Sequence, residues 1–408
     1  MKQILGRVVA LSLMMMMVMV GSSAVIPVLP QYARDFGVSI AVVGLVIATN
    51  SCMRMLVGFP AGVLTDRWGR RPFVIAGMLI TAAGALVAWS ATAVGPLFVG
   101  QALIGIGAAF YATAALSMVV DMADAANRGK ATGLYMMGFH LGAVFGPGIG
   151  GWLAYRCGIN SPFLAFAVLA VVAAAAATFL TRETRPPQEP RAPGGVVKPD
   201  LPRENWSRAL TRNLAIVYFV NFAFRFGFHG LTWTILPLLI EDLGLDTRVT
   251  GFIFMTLGGL TMLFFFPSGV LADRLGRRNV IIPGALIAAG GFLLFRWAET
   301  LPLVIIASVL LGIGGGFIST IPAAMVGDFA PEKLRGTAMG IYRSMGDLGL
   351  VLAPITLGFV ATYAGLPATF CVTFGLWFLT TLTLFLLPKG LPASVRAGSG
   401  KVKAARST

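Results

Sequence analysis

Residues 62–71 read Gly-Val-Leu-Thr-Asp-Arg-Trp-Gly-Arg-Arg, and residues 269–278 read Gly-Val-Leu-Ala-Asp-Arg-Leu-Gly-Arg-Arg. The two decapeptides are 207 residues apart, agree at eight of ten positions, and each separates two long apolar runs. The offset holds well beyond them. Leu29-Pro30 maps onto Leu236-Pro237, Asp35 onto Asp242 and Gly37 onto Gly244. Arg128-Gly129 maps onto Arg335-Gly336, Tyr135 onto Tyr342, Gly142 onto Gly349 and Pro147 onto Pro354. The chain is therefore two copies of one unit of about 200 residues. Duplication inside an apolar chain marks transporters built from repeats.

Composition sets the solvent. The 408 residues are 57% hydrophobic and 12% charged, about half the charge of a soluble domain. Such a chain cannot cover itself with polar surface in water, so it belongs in the lipid bilayer. The formal net charge of +15 reads as basic residues held on the cytoplasmic side, where they resist translocation and meet anionic lipid. It does not read as a nucleic-acid surface. Cys52, Cys157 and Cys371 stand at unrelated spacings, so no metal site and no disulfide framework is expected. No cofactor is implied either.

A membrane span needs about 20 apolar residues. Twelve are expected, near 8–29, 40–63, 73–91, 96–120, 132–154, 162–181, 213–236, 249–270, 280–298, 302–326, 337–361 and 366–387. The first resembles a signal peptide, but its repeat mate lies mid-chain, so it is expected to stay as a span. With the N-terminus cytoplasmic, one side collects 24 of 31 basic residues and the other only Arg34, Arg156, Arg248 and Arg296. That asymmetry puts both termini inside the cytoplasmic membrane of the cell. The expected organisation is a bundle over 1–181, a linker over 182–212, a second bundle over 213–390, and a basic disordered tail over 391–408. The Pro- and charge-rich linker reads as a mobile strap, with a short interfacial helix near Trp206.

At the decapeptides the chain resembles the major facilitator superfamily, whose signature loop joins spans two and three of twelve. The resemblance covers residues 1–390. It implies an all-α membrane fold of two pseudo-symmetric six-helix bundles. Span five resembles the motif of the family's exporters, especially drug:proton antiporters, at Gly142, Gly146, Pro147, Gly150 and Gly151. Its physical content is a flat glycine face with a proline kink. One position departs from the family: Gln101 stands in span four where an Arg tied to proton movement is usual. By resemblance, Asp66 faces the start of span eleven near Gly336 and Thr337, and Arg70 reaches Asp121. Repeat symmetry adds Asp273, Arg277 and Asp328 against span five. These six residues are the expected conformational lock.

Ionisable groups at membrane depth are costly and so are candidates for function. Arg343 and Asp347 are four apart on span eleven, which allows an ion pair on one helix face. Asp347 lies roughly 15 Å from the cytoplasmic end at 1.5 Å per residue. It is the expected proton carrier, with Arg343 holding its charged form. His140 is its repeat mate. Asn221, Arg225, His229 and Trp233 form a polar stripe on span seven. In the resembled fold spans one, four, seven and ten line the cavity, so that stripe, with Asn50, Arg54 and Gln101, is expected to face substrate. Three arginines against one aspartate favour an anionic substrate, while Met14 to Met17 and Met19 suit lipophilic compounds.

The sequence thus points to a secondary transporter, not an enzyme, that works as a monomer by alternating access. The expected activity is proton-coupled efflux of a lipophilic or anionic small molecule. The alternatives are an uptake symporter or uniporter for an organic anion or metabolite, and a non-transporting membrane sensor or scaffold.

Overall fold

The computed structural model describes residues 2–124, 127–184 and 209–388. Most of the anticipated strap, the helix near Trp206 and the basic tail lie outside the described residues. The first repeat forms α1 (Lys2–Val25), α2 (Leu29–Arg34), α3 (Ile40–Trp68), α4 (Arg71–Trp89), α5 (Val94–Met122), α6 (Arg128–Cys157) and α7 (Ser161–Leu180). The second forms α8 (Arg212–Phe224), a π-helical segment Arg225–Leu231, α9 (Thr232–Thr234), α10 (Leu236–Asp242), α11 (Thr247–Leu275) and α12 (Arg277–Phe295). It continues through α13 (Leu301–Ser319), α14 (Ile321–Phe329), α15 (Arg335–Ala364) and α16 (Leu366–Leu384).

All-helical structure is what hydrocarbon demands, because a helix pairs its own backbone groups. Among the described residues, eleven helical stretches are long and apolar enough to span a membrane. The twelfth expected span, α6, has the length but not the hydropathy. Its thirty residues include eight glycines, which contribute little apolar surface. The protein is a multi-pass membrane protein.

Two expected spans are interrupted. Span seven is α8, the π-helical segment, α9 and α10 rather than one α-helix. Span ten divides into α13 and α14 at Thr320, where Pro322 stands at the start of the new helix. Proline there gives up a backbone donor that a helix start leaves unpaired anyway.

The duplication is visible in the backbone itself. Among the described residues the six positive-φ glycines form three pairs at the 207-residue offset: Gly37 and Gly244 (73° and 72°), Gly69 and Gly276 (98° and 92°), Gly158 and Gly365 (100° and 83°). Each ends a helix or turn in a conformation that a Cβ would strain. Four helix-interior prolines pair likewise, Pro60 with Pro267 and Pro147 with Pro354, whereas Pro283 of α12 has Ala76 as its mate.

Contacts divide the chain into two compact units. The first joins the described first repeat to Thr232–Gly258 and Ala353–Leu366. Those borrowed segments come from the helix ends remote from the decapeptides. Within this unit α1 packs on α6 and α7, and α4 on α5 and α7. Phe163 and Phe166 are fully enclosed. The second unit is Gly259–Leu352 with the described parts of Val197–Leu231 and Pro367–Thr408. Here α12 packs on α13, and Trp377, 1% exposed, sits among Phe224 and Phe292.

Helices gain little hydrophobic driving force against each other in lipid, so close van der Waals fit holds them. On α6, a Cβ placed at Gly150 would fall into the Ala24 backbone, whereas one at Gly133 would meet nothing within 4 Å. Gly150→Val is therefore expected to lower the stability of the purified protein by about 1–3 kcal/mol through overpacking. Gly133→Ala should be neutral or slightly stabilising. Thermal unfolding in detergent measures both, and equal effects would contradict the α1–α6 packing.

Candidate functional site

In the first unit, polar groups at depth gather from α3, α5 and α6. Asn50 Nδ2 donates to the Gln101 backbone carbonyl at 3.5 Å, a long bond that tethers α3 to α5. The Gln101 side chain is 4% exposed, and its buried Nε2 lacks a hydrogen-bond partner. Arg54, one turn after Asn50, is half-buried. Tyr111 on α5, with its ring buried, lies within electrostatic reach of Arg54. No carboxylate pairs with Arg54 among the described residues. Tyr135 donates to Met15 Sδ at 3.3 Å, which places one of the span-one methionines in packing. His140 is half-buried and meets Phe139 edge-on at 5.3 Å.

In the second unit, the span-seven stripe divides. Asn221 is 4% exposed and donates through Nδ2 to the Tyr342 carbonyl at 2.6 Å. That group ties α8 to α15 and does not face open space, a correction to the expected cavity lining. Arg225 begins the π-helical segment, half-buried, with its stem over Gly346 and Gly349 of α15. His229 is half-buried against Phe224 and Phe228. Trp233, also half-buried, falls in the first unit. The segment fits here because Gly227 leaves room for Trp377. Such π insertions recur at functional sites.

Arg343 and Asp347 do not form the anticipated ion pair. Arg343 is exposed and Asp347 half-buried, and no contact within 4 Å joins them. Helical spacing permits such a pair, but spacing alone does not fix the side-chain directions that would close it. Asp347 is thus a carboxylate at depth with no ion pair among the described residues.

The signature loops are more fully built than the sequence suggested. Arg70 and Asp121 form an ion pair, their side chains 12% and 18% exposed. Arg70 Nη2 lies 3.6 Å from Asp66, and Nη1 donates to the Ser117 carbonyl at 2.9 Å. The repeat mates Arg277 and Asp328 pair at 2.7 Å. Asp66 is 70% exposed, with Arg70 as its ion partner, and Asp273 is exposed. Sequence reading missed Glu183. Its carboxylate accepts the backbone N–H groups of Arg70 (2.9 and 3.0 Å) and Arg71 (3.0 Å), and so caps α4. Thr184 donates to Asp121 at 3.2 Å. A carboxylate is well placed at a helix N-terminus, where it meets unpaired donors and the positive end of the dipole.

The glycine face of α6 lies against α1 and α11. Gly142 meets Met16, Met19 and Val20, while Gly146 and Gly150 meet Ala24. Gly151 meets Thr247 and Gly251, and Gly251 also meets the Pro147 carbonyl. Beside this crossing an apolar groove of about 620 Å³ is lined by Phe145, Gly148, Ile149, Trp152, Arg248, Phe252 and Met255. It holds none of the polar groups at depth.

The family model for the Major Facilitator Superfamily matches residues 11–262 and 214–407. The chain is similar to the class C tetracycline resistance protein of Escherichia coli, with 26% identity over 368 residues, covering 86% of this chain and 88% of that protein. In fold it is similar to a bacterial homolog of the human lysosomal transporter Spinster in an inward-facing, unoccupied conformation. That match has a TM-score of 0.79 at 16% identity and covers 94% of this chain and 96% of the other. It also resembles the human organic anion transporter MFSD10, with a TM-score of 0.64 at 20% identity, covering 93% and 99%. With two tandem matches spanning nearly its whole length, on a fold of paired helical repeats, the chain belongs to the Major Facilitator Superfamily of transporters.

Proposed function

We propose that this transporter exports a lipophilic organic anion in exchange for protons, by alternating access between two bundles formed by residues 1–181 and 213–390. The observation that carries the substrate class is Arg54: a half-buried guanidinium at membrane depth without a carboxylate partner among the described residues. An uncompensated cation there is expensive. The cost falls when a ligand supplies the missing negative charge. Gln101 Nε2, buried without a partner nearby, adds a second donor aimed at an acceptor. Three arginines at depth against Asp347 tilt the whole pathway the same way.

Export is supported by the glycine face of α6 and by the name of the tetracycline resistance relative. An organic anion as cargo is in keeping with the name of the MFSD10 neighbour. Asp347 is the carboxylate placed to take and release a proton, since no ion pair fixes it in its charged form. A monomer in a cytoplasmic membrane, with both termini on the cytoplasmic face, completes the reading. The second reading, uptake of the anion by symport or uniport, is favoured by Gln101 standing where the resembled exporters carry an Arg.

Two outcomes are expected in proteoliposomes with an imposed pH gradient. Arg54→Gln should raise KM for an anionic lipophile about 10- to 100-fold, the loss of one charge-assisted contact, and leave a neutral analogue of the same shape nearly unaffected. An equal change for both analogues would remove the anion assignment. Asp347→Asn should abolish the acceleration of transport by the gradient while counterflow of labelled substrate persists. Undiminished gradient dependence in that variant would exclude Asp347 as the coupling group.

A further inference from the structure

The groove beside the α6–α11 crossing lies wholly within the first unit. Its walls are apolar and open: Phe145, Ile149 and Trp152 of α6 and Phe252 of α11 are all exposed. Helix α6 ends at Cys157, and α11 begins at Thr247. At about 1.5 Å per residue, the floor between Phe145 and Met255 lies roughly 12–18 Å below those helix ends. One leaflet of hydrocarbon is about 15 Å deep, half of the whole core. The groove is therefore as deep as a single leaflet. Its volume of about 620 Å³ falls within the roughly 300–1,000 Å³ of ligand pockets.

The mouth carries a fixed cation. Arg248, 50% exposed, stands 3.6 Å over the Tyr155 ring. Its Nε and Nη2 donate to Asp246 Oδ2 at 3.1 and 2.6 Å. Asp246 Oδ1 accepts the backbone N–H groups of Arg248 and Val249 at 2.9 and 3.2 Å. Both carboxylate oxygens are thus engaged. Nη1 of Arg248 has no acceptor among the described residues. A guanidinium held on one edge and one face presents its other edge to an anion. Trp152 and Tyr155 beside it are residue types that settle at the membrane interface, the level of phosphate head groups.

The repeat supplies an internal control. The mate crossing, α3 on α15, is equally tight: a Cβ at Gly44 would strike the Pro354 carbonyl. It lacks the parts of the groove. Ala41 stands for Arg248, Ser39 for Asp246, Ile355 for Gly148 and Phe359 for Trp152. The crossing can be made without the groove, so the fold does not require it. Gly148 keeps it open. A Cβ there would already come within 3.1 Å of Met255 Sδ, and a longer side chain would fill the space.

We infer that this groove binds one membrane phospholipid, with an acyl chain against Ile149, Trp152 and Phe252 and the phosphate accepting from Arg248 Nη1. The lipid is a resident ligand and not the cargo. The inference needs the membrane setting but neither the anionic substrate nor the proton coupling, so its failure leaves that reading untouched.

The test titrates the delipidated full-length protein in detergent with dioleoyl phosphatidylglycerol and counts adducts by native mass spectrometry. The parent should take up one lipid saturably. Arg248→Gln should weaken that binding about tenfold, the loss of one charge-assisted contact. Gly148→Leu should weaken it at least about tenfold by filling the groove. Arg296→Gln, an exposed arginine beside the exposed Trp297, should stay within about twofold, because rim charges away from a site contribute little. Thermal unfolding checks that each variant folds. If Gly148→Leu does not, Trp152→Ala replaces it, with an expected loss of about fivefold. Uptake that never saturates, or that Arg296→Gln weakens as much as Arg248→Gln, would mean bulk lipid and overturn the site. So would a protein dimer that Gly148→Leu separates, which would make a second copy the occupant. Binding of dodecyl phosphate without binding of the phospholipid would overturn it in favour of a single-chain lipophile.

Discussion

Hydrocarbon offers no partner to a stray polar group, and every departure from plain apolar helix in this chain has to be compensated locally. The departures are few and placed. Helix α1 ends at Val25 and resumes as α2 through a turn in which the Val28 N–H reaches the Val25 carbonyl at 3.1 Å. Asn221 spends its amide on a carbonyl of α15. Arg225 opens a π-helical segment whose tight contact with Trp377 only a glycine admits. Against this background Arg54 stands out, because no carboxylate pairs with it among the described residues. The proposed anionic cargo follows from that single imbalance.

The signature loop obeys the same rule at the membrane edge. Arg70 arrives at a helix start, where backbone donors are unpaired. Its own N–H and that of Arg71 are taken up by Glu183, and its guanidinium by Asp121, Asp66 and the Ser117 carbonyl. Gly69 at φ +98° lies close under the Glu183 carboxylate, 2.7 Å from where a Cβ would sit. The chain leaving α7 is thus part of the loop assembly. In the second repeat, among the described residues, Arg277 holds Asp328 and Arg278 donates to the Leu387 carbonyl.

Periodicity and the 207-residue offset made most of the fold legible. They located the helices and the paired turns, while the partnership of Arg70 with Asp121 was implied by the family resemblance and carried across the offset to Arg277 and Asp328. What escaped was whatever depends on side-chain direction. The i, i+4, i+8 stripe on span seven presumes an uninterrupted α-helix, and the π-helical segment breaks that premise. Spacing allowed an Arg343–Asp347 pair, but spacing cannot say which rotamer a wet arginine adopts. Glu183 lay in a stretch whose proline and charge content spoke of a strap. Arg34 counted in the sequence only as one of few basic residues on its side; its partner was its own repeat mate, Glu241, which no local pattern reveals.

The two copies also show which features the fold requires and which the chemistry requires. Positions kept in both repeats are backbone devices: the positive-φ glycines, Pro60 with Pro267, Pro147 with Pro354, and the arginine–aspartate pairs of the loops. Charged positions at depth have diverged. Arg54 faces Thr261 across the offset, Arg225 faces Val18, Arg343 faces Met136, and Asp347 faces His140. A symmetric pair of sites would present the same charge twice to one small ligand and repel a second copy of itself. On the proposed reading, restricting each charge to one repeat puts a cation for the cargo and a carboxylate for the proton on different copies. The same divergence turns Arg34 and Glu241 from potential repulsion into attraction. On the proposed reading, duplication supplied the hinge and the bundle, and the loss of symmetry supplied the transport chemistry.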